Sequence, residues 1–321
     1  MPGEFDLIRH YFATPTPRTV LGVGDDCALM ACTPGQELAV STDMLVEGRH
    51  FLKGTDPRRL GHKSAAVNLS DIAAMGATPR WATLGLALPQ PDGHWVGEFS
   101  AGFHGLLAAH GVDWVGGDTT AGPLTISVTI LGEVPPLQAL RRSGAQAGDD
   151  VWVSGTLGDA ALGLQCLLGG DDALASDARQ FCLDRLETPT PRVALGQALR
   201  GLAHAAIDVS DGLLADLGHI LDASGVGACL DFERLPRSAA MQRRLASPDA
   251  FPLMLSGGDD YELCFTAAPG SASLIQQAAA RAGVAVTAVG TVTTTRERVL
   301  RDAHGTPMPF AWQGFDHFRS P

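Results

Sequence analysis

Five short aspartate-bearing segments, spread over most of a 321-residue chain, limit what it can fold into. They read Gly24-Asp25-Asp26, Ser41-Thr42-Asp43, Asn68-Leu69-Ser70-Asp71, Gly116-Gly117-Asp118 and Asp208-Val209-Ser210-Asp211-Gly212. Each sets a carboxylate beside Gly, Ser or Thr, directly after an apolar stretch that reads as a strand or inside a small-residue helix. Aspartate is short and holds a hard cation close to the backbone, and an oxygen-only donor set suits Mg²⁺ rather than zinc. One such segment is ordinarily a turn or a helix cap. Five of them point to a site that gathers several carboxylates around Mg²⁺ and the phosphates it neutralises.

The chain is longer than the ~250 to 300 residues at which one hydrophobic core stops growing, so two domains are expected. Pro135-Pro136 marks the break, which places an N-terminal domain at 1–137 and a C-terminal domain at 138–321. A formal net charge of −12 argues against nucleic acid as a partner, because phosphate backbones need a basic face. Six cysteines without a C-x-x-C pair fit reduced, mostly packed thiols rather than a disulfide frame or a zinc site. Glu4 and Asp6 stand where a signal peptide would need apolar residues, and no apolar run approaches the ~20 residues of a membrane span. A soluble, cytoplasmic protein with no membrane partner is expected.

Locally, residues 38–43 read as a strand that ends on a polar cluster. Asp56-Pro57 opens a helix, with Asp as N-cap and Pro at the first helical position, and Gly76 is its stop. Ser64, Asn68 and Asp71 share one face of that helix, a polar stripe that is either solvated or lines a site. Further strands are expected at 81–88, 124–132 and 151–154, with a helix near 94–110 and a turn at Gly116-Gly117-Asp118. In the second half, strand-like Ala205–Val209 runs into Ser210-Asp211-Gly212. The helix that follows carries Leu213, Leu214, Leu217, Ile220 and Leu221 on one face. Ser256–Asp260 is a glycine-rich turn leading into another strand.

No G-x-x-x-x-G-K-[ST] loop is present, Gly22-Val23-Gly24 is not completed to G-x-G-x-x-G, and no protein-kinase motif set occurs. A nucleotide here must be held by another architecture, in which Mg²⁺ and backbone amides replace the P-loop. Taken together, Gly22–Cys27, Ser41–Asp43, Asn68–Gly76, Gly116–Thr120, Arg142-Ser143-Gly144, Asp208–Gly212, Ser256–Leu263 and Trp312–Phe318 resemble the thiamine-monophosphate kinase family. That family lies in the aminoimidazole ribonucleotide synthetase superfamily. The resemblance implies a two-domain mixed α/β fold, a homodimer whose N-terminal domains share a β-barrel, and ATP with metals in a cleft between the domains.

By position, the resemblance gives Asp26, Ser41, Thr42, Asp43, Asp71, Asp118 and Asp208 to several Mg²⁺ ions, with Asp211 at a more peripheral one. Asp43, Asp71 and Arg142 carry catalysis on this reading. Gly117, Asp118, Arg142 and Ser210 meet ATP, the co-substrate. His50, Asp259 and Phe315 meet thiamine monophosphate, with Asp259 standing where some relatives carry Glu and Phe315 where Tyr also occurs. Asp25 reads as a turn residue, Lys63 fits helix packing as well as a phosphate contact, and the six Cys read as packing residues. The implied reaction is transfer of the ATP γ-phosphoryl group to thiamine monophosphate. A synthetase of the same superfamily acting on an amide, or a nucleotide-binding regulator without turnover, are the alternatives.

Overall fold

A computed structural model describes residues 4–169, 174–245 and 250–310, a mixed α/β chain in two units. One unit comprises residues 1–72 with 77–137, the other residues 73–76 with 138–321.

The first unit opens with a short helix α1 (Glu4–Leu7) and one π-helical turn (Ile8–Phe12). Its sheet contains β1 (Glu37–Val46), β2 (Thr78–Leu88), β3 (Asp113–Ala121) and β4 (Thr125–Val134), in the order β1-β4-β2-β3. β4 pairs antiparallel with both neighbours, while β3 runs parallel to β2. The crossover between those parallel strands is helix α3 (Gly93–Ala109), which joins α2 (Pro57–Ala74) over one face of the sheet. Alternation decides which face is covered. Ile126, Val128 and Ile130 of β4 and Leu84, Leu86 and Leu88 of β2 are buried, whereas Leu38, Val40 and Met44 of β1 point the other way and are exposed. The two helices meet at backbone level through Gly61 and Gly102. A Cβ on Gly61 would lie 2.0 Å from the Phe99 carbonyl oxygen, and one on Gly102 1.9 Å from that of Arg58.

One expected turn is a strand. Gly116-Gly117-Asp118 sits inside β3, paired with Thr83, Leu84 and Gly85 of β2. The glycines serve close approach rather than chain reversal, since a Cβ on Gly117 would fall 1.8 Å from the Leu84 carbonyl oxygen. The adjacent register shift at Ala82/Thr83 marks the irregularity they relieve.

The second unit holds a six-stranded sheet in the order β10-β7-β9-β5-β8-β6. Its strands are β5 (Asp150–Ser154), β6 (Ala205–Val209), β7 (Gly227–Asp231), β8 (Glu262–Ala267), β9 (Val286–Thr293) and β10 (Arg298–Arg301). The helices are α4 (Asp159–Leu167), α5 (Ser176–Glu187), α6 (Val193–Ala198), α7 (Leu213–Ser224), α8 (Ala239–Arg244), α9 (Ala250–Ser256) and α10 (Ala272–Arg281). β6 and β8 are buried along their whole length, as strands covered on both faces must be. Leu213, Leu214, Leu217, Ile220 and Leu221 of α7 all enter the core, as their spacing predicts.

Candidate functional site

In the first unit, the pleat of β1 sorts the Ser41-Thr42-Asp43 segment. Ser41 and Asp43 stand beside Ile130 and Val128, on the helix-covered face; Thr42 stands beside Thr129 on the other, where the two hydroxyls are 2.8 Å apart. From α2, Asp71 reaches the same covered face and its Oδ2 accepts a short hydrogen bond from the Ser41 hydroxyl. The rest of the expected polar stripe is neither solvated nor open. The Ser64 hydroxyl donates to the Leu60 carbonyl (2.8 Å) and the Asn68 amide to the Ser64 carbonyl (3.0 Å), both fully buried. The structure therefore joins Ser41, Asp43 and Asp71 and turns the Thr42 side chain away from them.

Asp43 registers the proximity of Asp71. Its carboxyl is pushed from the ordinary 3.8 up to about 6, first by burial and second by the neighbouring Asp71 charge. Between those two values the folded chain keeps a proton that the unfolded chain has released. Stability therefore falls as pH rises through that window and stays lower above it. Allowing for partial exposure, the deficit is about 2 to 3 kcal/mol. In metal-free buffer, Asp43→Asn is expected to make the fall in stability shallower by that amount, while Asp216, whose carboxyl is also raised, keeps a fall of its own. Urea unfolding at about pH 4 and about pH 8 measures it, and an unaltered pH dependence in the variant rules the assignment out.

Two carboxylates and a hydroxyl are hard oxygen donors of the kind Mg²⁺ takes, and Mg²⁺ is usually bound by one or two carboxylates together with substrate phosphates. Among the described residues, no three His, Cys, Asp or Glu side chains form a ready-made cage. The pair thus fits a cation that completes its sphere with phosphate and relieves the repulsion raising Asp43.

The other first-unit candidates are carried on other loops and strands. Asp26 is exposed in a loop closed by paired Leu21 and Leu29, and the Asp25 carboxylate accepts the Asp26 N–H at 3.0 Å, the turn role expected of Asp25. Asp118 is exposed on β3, at the sheet edge opposite β1 and in the row Gly85–Ser127–Met44 rather than the row of Asp43. Three strand spacings of about 4.8 Å put some 14 Å between the backbones of Asp118 and Asp43. His50 closes the turn after β1, its Nδ1 accepting the Val46 N–H at 3.0 Å, which leaves the ring proton on Nε2. Cys27 and Cys32 are exposed, so two of the six thiols are not packing residues.

In the second unit, Asp208 is buried near the end of β6, paired with Leu263. Behind the segment that follows it lies a carboxylate the sequence reading missed. Asp216, in the first turn of α7 and 2% exposed, accepts the Ser210 and Asp211 N–H groups on one oxygen, each at 3.0 Å. Burial first, then the Asp208 charge, raises its carboxyl to about 8. No local sequence signal marks it, since the amides it accepts belong to Ser210 and Asp211, which precede the N-cap Gly212 instead of opening the helix.

The Ser256–Tyr261 loop packs directly on this segment. Asp259 and Tyr261 donate their N–H groups to the Ser210 and Val209 carbonyls, both at 2.8 Å. Gly212 permits the contact, because a Cβ there would lie 2.7 Å from the Ser256 Cα. Asp259 (φ 68°) and Tyr261 (φ 49°) occupy the left-handed region that side chains avoid. The Tyr261 hydroxyl donates to the Asp259 carboxylate at 3.0 Å. Below the loop, Arg185 donates to the Asp260 carbonyl and to Glu262, both at 2.8 Å, and Arg192 forks onto Glu262 at 2.6 and 2.5 Å. Candidate Ser210 and candidate Asp259 are thus carried on two touching loops over a buried ion network. Arg142 is exposed, in a turn pinned to the end of α7 by Ser224, whose hydroxyl donates to the Arg142 carbonyl at 3.3 Å. Phe315 and Trp312 lie outside the described residues.

Residues 24–134 match the N-terminal domain of AIR synthase related proteins and residues 146–302 match the C-terminal domain, which defines the class of the fold. Thiamine-monophosphate kinase of Salmonella typhimurium is 45% identical over 322 residues, spanning 99% of each chain. The chain belongs to the thiamine-monophosphate kinase family. The crystal structure of thiamine-monophosphate kinase from Stenotrophomonas maltophilia K279a is 46% identical with a TM-score of 0.83, covering 88% of this chain and 91% of that one. The structure of AaThiL complexed with AMPPCP and TMP is 30% identical with a TM-score of 0.77, covering 98% of this chain and 97% of that one.

Proposed function

We propose that this chain phosphorylates thiamine monophosphate with ATP, giving thiamine diphosphate and ADP. The observation that carries this reading is full-length similarity to thiamine-monophosphate kinases, one of which is complexed with AMPPCP and TMP. The acceptor explains why Ser41, Asp43 and Asp71 need no catalytic base. A phosphate monoester has a second pKa near ~6 and is already mostly dianionic at neutral pH. The obstacle is electrostatic, since each unit-charge repulsion at ~4 Å costs about 4 kcal/mol at an effective dielectric of 20. The reaction is therefore a direct in-line transfer without a phosphoenzyme, limited by how well the chain brings two polyanions together.

Ser41, Asp43 and Asp71 would hold one Mg²⁺, and Asp26, Thr42, Asp118, Asp208 and Asp211 would serve other Mg²⁺ ions. When bound, Mg²⁺ supplies neutralisation of the phosphate oxygens. Gly117 and Ser210 face ATP, and Arg142 offers it a fork for phosphate oxygens. His50, Asp259 and Phe315 face the thiamine end, where an acidic group suits the cationic thiazolium ring. Measuring ADP release with and without thiamine monophosphate tests the assignment. Release that is independent of the acceptor, or no release at all, overturns it.

The active form is a homodimer built on the first unit, working in the cytoplasm. β1 and β3 are the edges of its sheet, and Leu38, Val40 and Met44 leave one face apolar and exposed, a combination that invites closure against a second copy. Closure also brings an edge strand bearing Asp118 from one copy towards β1 of the other. Val40→Glu combined with Met44→Glu is expected to yield monomers by light scattering, where the parent chain gives dimers. A parent chain that is monomeric at micromolar concentration excludes the dimer. No helix among the described residues is long and apolar enough to cross a membrane.

A further inference from the structure

We propose that Asp216 is a positioning residue, whose buried carboxylate sets the conformation of the Ser210–Asp211 segment for nucleotide binding. The inference rests on the reading that this segment serves ATP. Two successive amides, those of Ser210 and Asp211, converge on the same Asp216 oxygen at 3.0 Å each. That convergence fixes the peptide between them, and with it the points on the backbone from which the Ser210 and Asp211 side chains leave. Asp216 is itself anchored in the helix, its own N–H donating to the Gly212 carbonyl at 3.0 Å. Only 2% of the residue is exposed, so the side chain acts from behind the segment rather than as a ligand. Its reach extends one step further, because the Ser210 carbonyl accepts the Asp259 N–H at 2.8 Å. One carboxylate therefore holds the segment on which the second loop rests.

The test separates an acceptor from a charge. Asp216→Asn keeps a side-chain oxygen able to take both amides, whereas Asp216→Leu leaves two partly buried donors without that acceptor. Calorimetric binding of a non-hydrolysable ATP analogue with Mg²⁺ is the readout, alongside thermal melting of the same proteins. Asp216→Leu is expected to weaken binding by at least about tenfold, with Asp216→Asn within about threefold of the parent chain. Ile220→Ala, a core truncation on the same helix, provides a stability loss away from the segment, and its analogue affinity is expected to stay within about threefold. Parent-like affinity in Asp216→Leu overturns the proposal, as does an Asp216→Asn defect equal to that of Leu, which makes the charge the active feature. An equal affinity loss in Ile220→Ala reduces Asp216 to a stability role and overturns it as well. Asp211→Ala identifies failure of the underlying reading: if it too leaves affinity unchanged, the segment does not serve nucleotide. If it weakens binding while Asp216→Leu does not, positioning by Asp216 alone is excluded.

Discussion

Asp71→Asn is expected to lower turnover by about a thousandfold while leaving the chain folded. The asparagine oxygen can still accept the Ser41 hydroxyl, so the packing of α2 on β1 survives. On the proposed reading, what disappears is one of two neighbouring carboxylates holding the cation that offsets phosphate repulsion. One unit-charge interaction at ~4 Å is worth about 4 kcal/mol at an effective dielectric of 20, and each 1.4 kcal/mol is a factor of ten in rate. The same substitution removes the second cause of the raised Asp43 carboxyl, so the metal-free variant should melt no lower than the parent chain. Steady-state ADP release across a Mg²⁺ series, with circular dichroism as the folding control, checks both halves. Activity within tenfold of the parent chain at saturating Mg²⁺ dismisses Asp71 as a catalytic residue.

How far the site is legible in the sequence depends on which physical signal each part carries. α7 is legible because its leucines and isoleucine repeat at the helical period, α2 because Asp56-Pro57 and Gly76 punctuate its ends, and β1 because a short apolar run stops on a polar cluster. β3 is not, since two consecutive glycines carry no strand signal, and only pairing with β2 shows that they exist for close backbone contact. Within the Ser41–Asp43 string, adjacency suggests three side chains acting together, but the pleat sends Thr42 to the opposite face. The string at Gly116–Asp118 suggests convergence with Asp43, yet strand order sets the two at opposite sheet edges, a property of topology that no local pattern encodes. Asp216 escapes because its partners are backbone amides, which every sequence supplies equally. Cys27 and Cys32 escape for a simpler reason: a cysteine reads as apolar, and only the fold reveals that their loop is exposed.

The network below the Ser256–Tyr261 loop is invisible to sequence reading in the same way, and its disruption is expected to give the largest loss of stability. Glu262 is fully buried between Arg185 and Arg192, at 2.8 and 2.5 Å, and also takes the Ser154 hydroxyl at 2.6 Å. Glu262→Gln keeps the volume but takes from two mostly buried guanidinium groups the anion they share, leaving Arg185 only the Asp260 and Asp159 carboxyls nearby and Arg192 without its ion pair. Breaking a buried ion pair by removing one partner costs about 3 to 5 kcal/mol, a large share of the ~5 to 15 kcal/mol that holds a typical domain together. The pair need not be stabilising relative to apolar groups for this to hold, because the cost is that of the stranded charges. Replacing the network together, as Glu262→Leu with Arg185→Met and Arg192→Leu, is therefore expected to recover much of the loss. The recovered protein should still bind thiamine monophosphate poorly. Arg185 also holds the Asp260 carbonyl, and without it the left-handed turn at Asp259 and Tyr261 lacks its support from below. Urea unfolding gives the first quantity and the Michaelis constant for thiamine monophosphate the second. A Glu262→Gln loss below about 1 kcal/mol means the arginines find other partners. A stable triple variant with an unchanged Michaelis constant means the loop holds its shape without them.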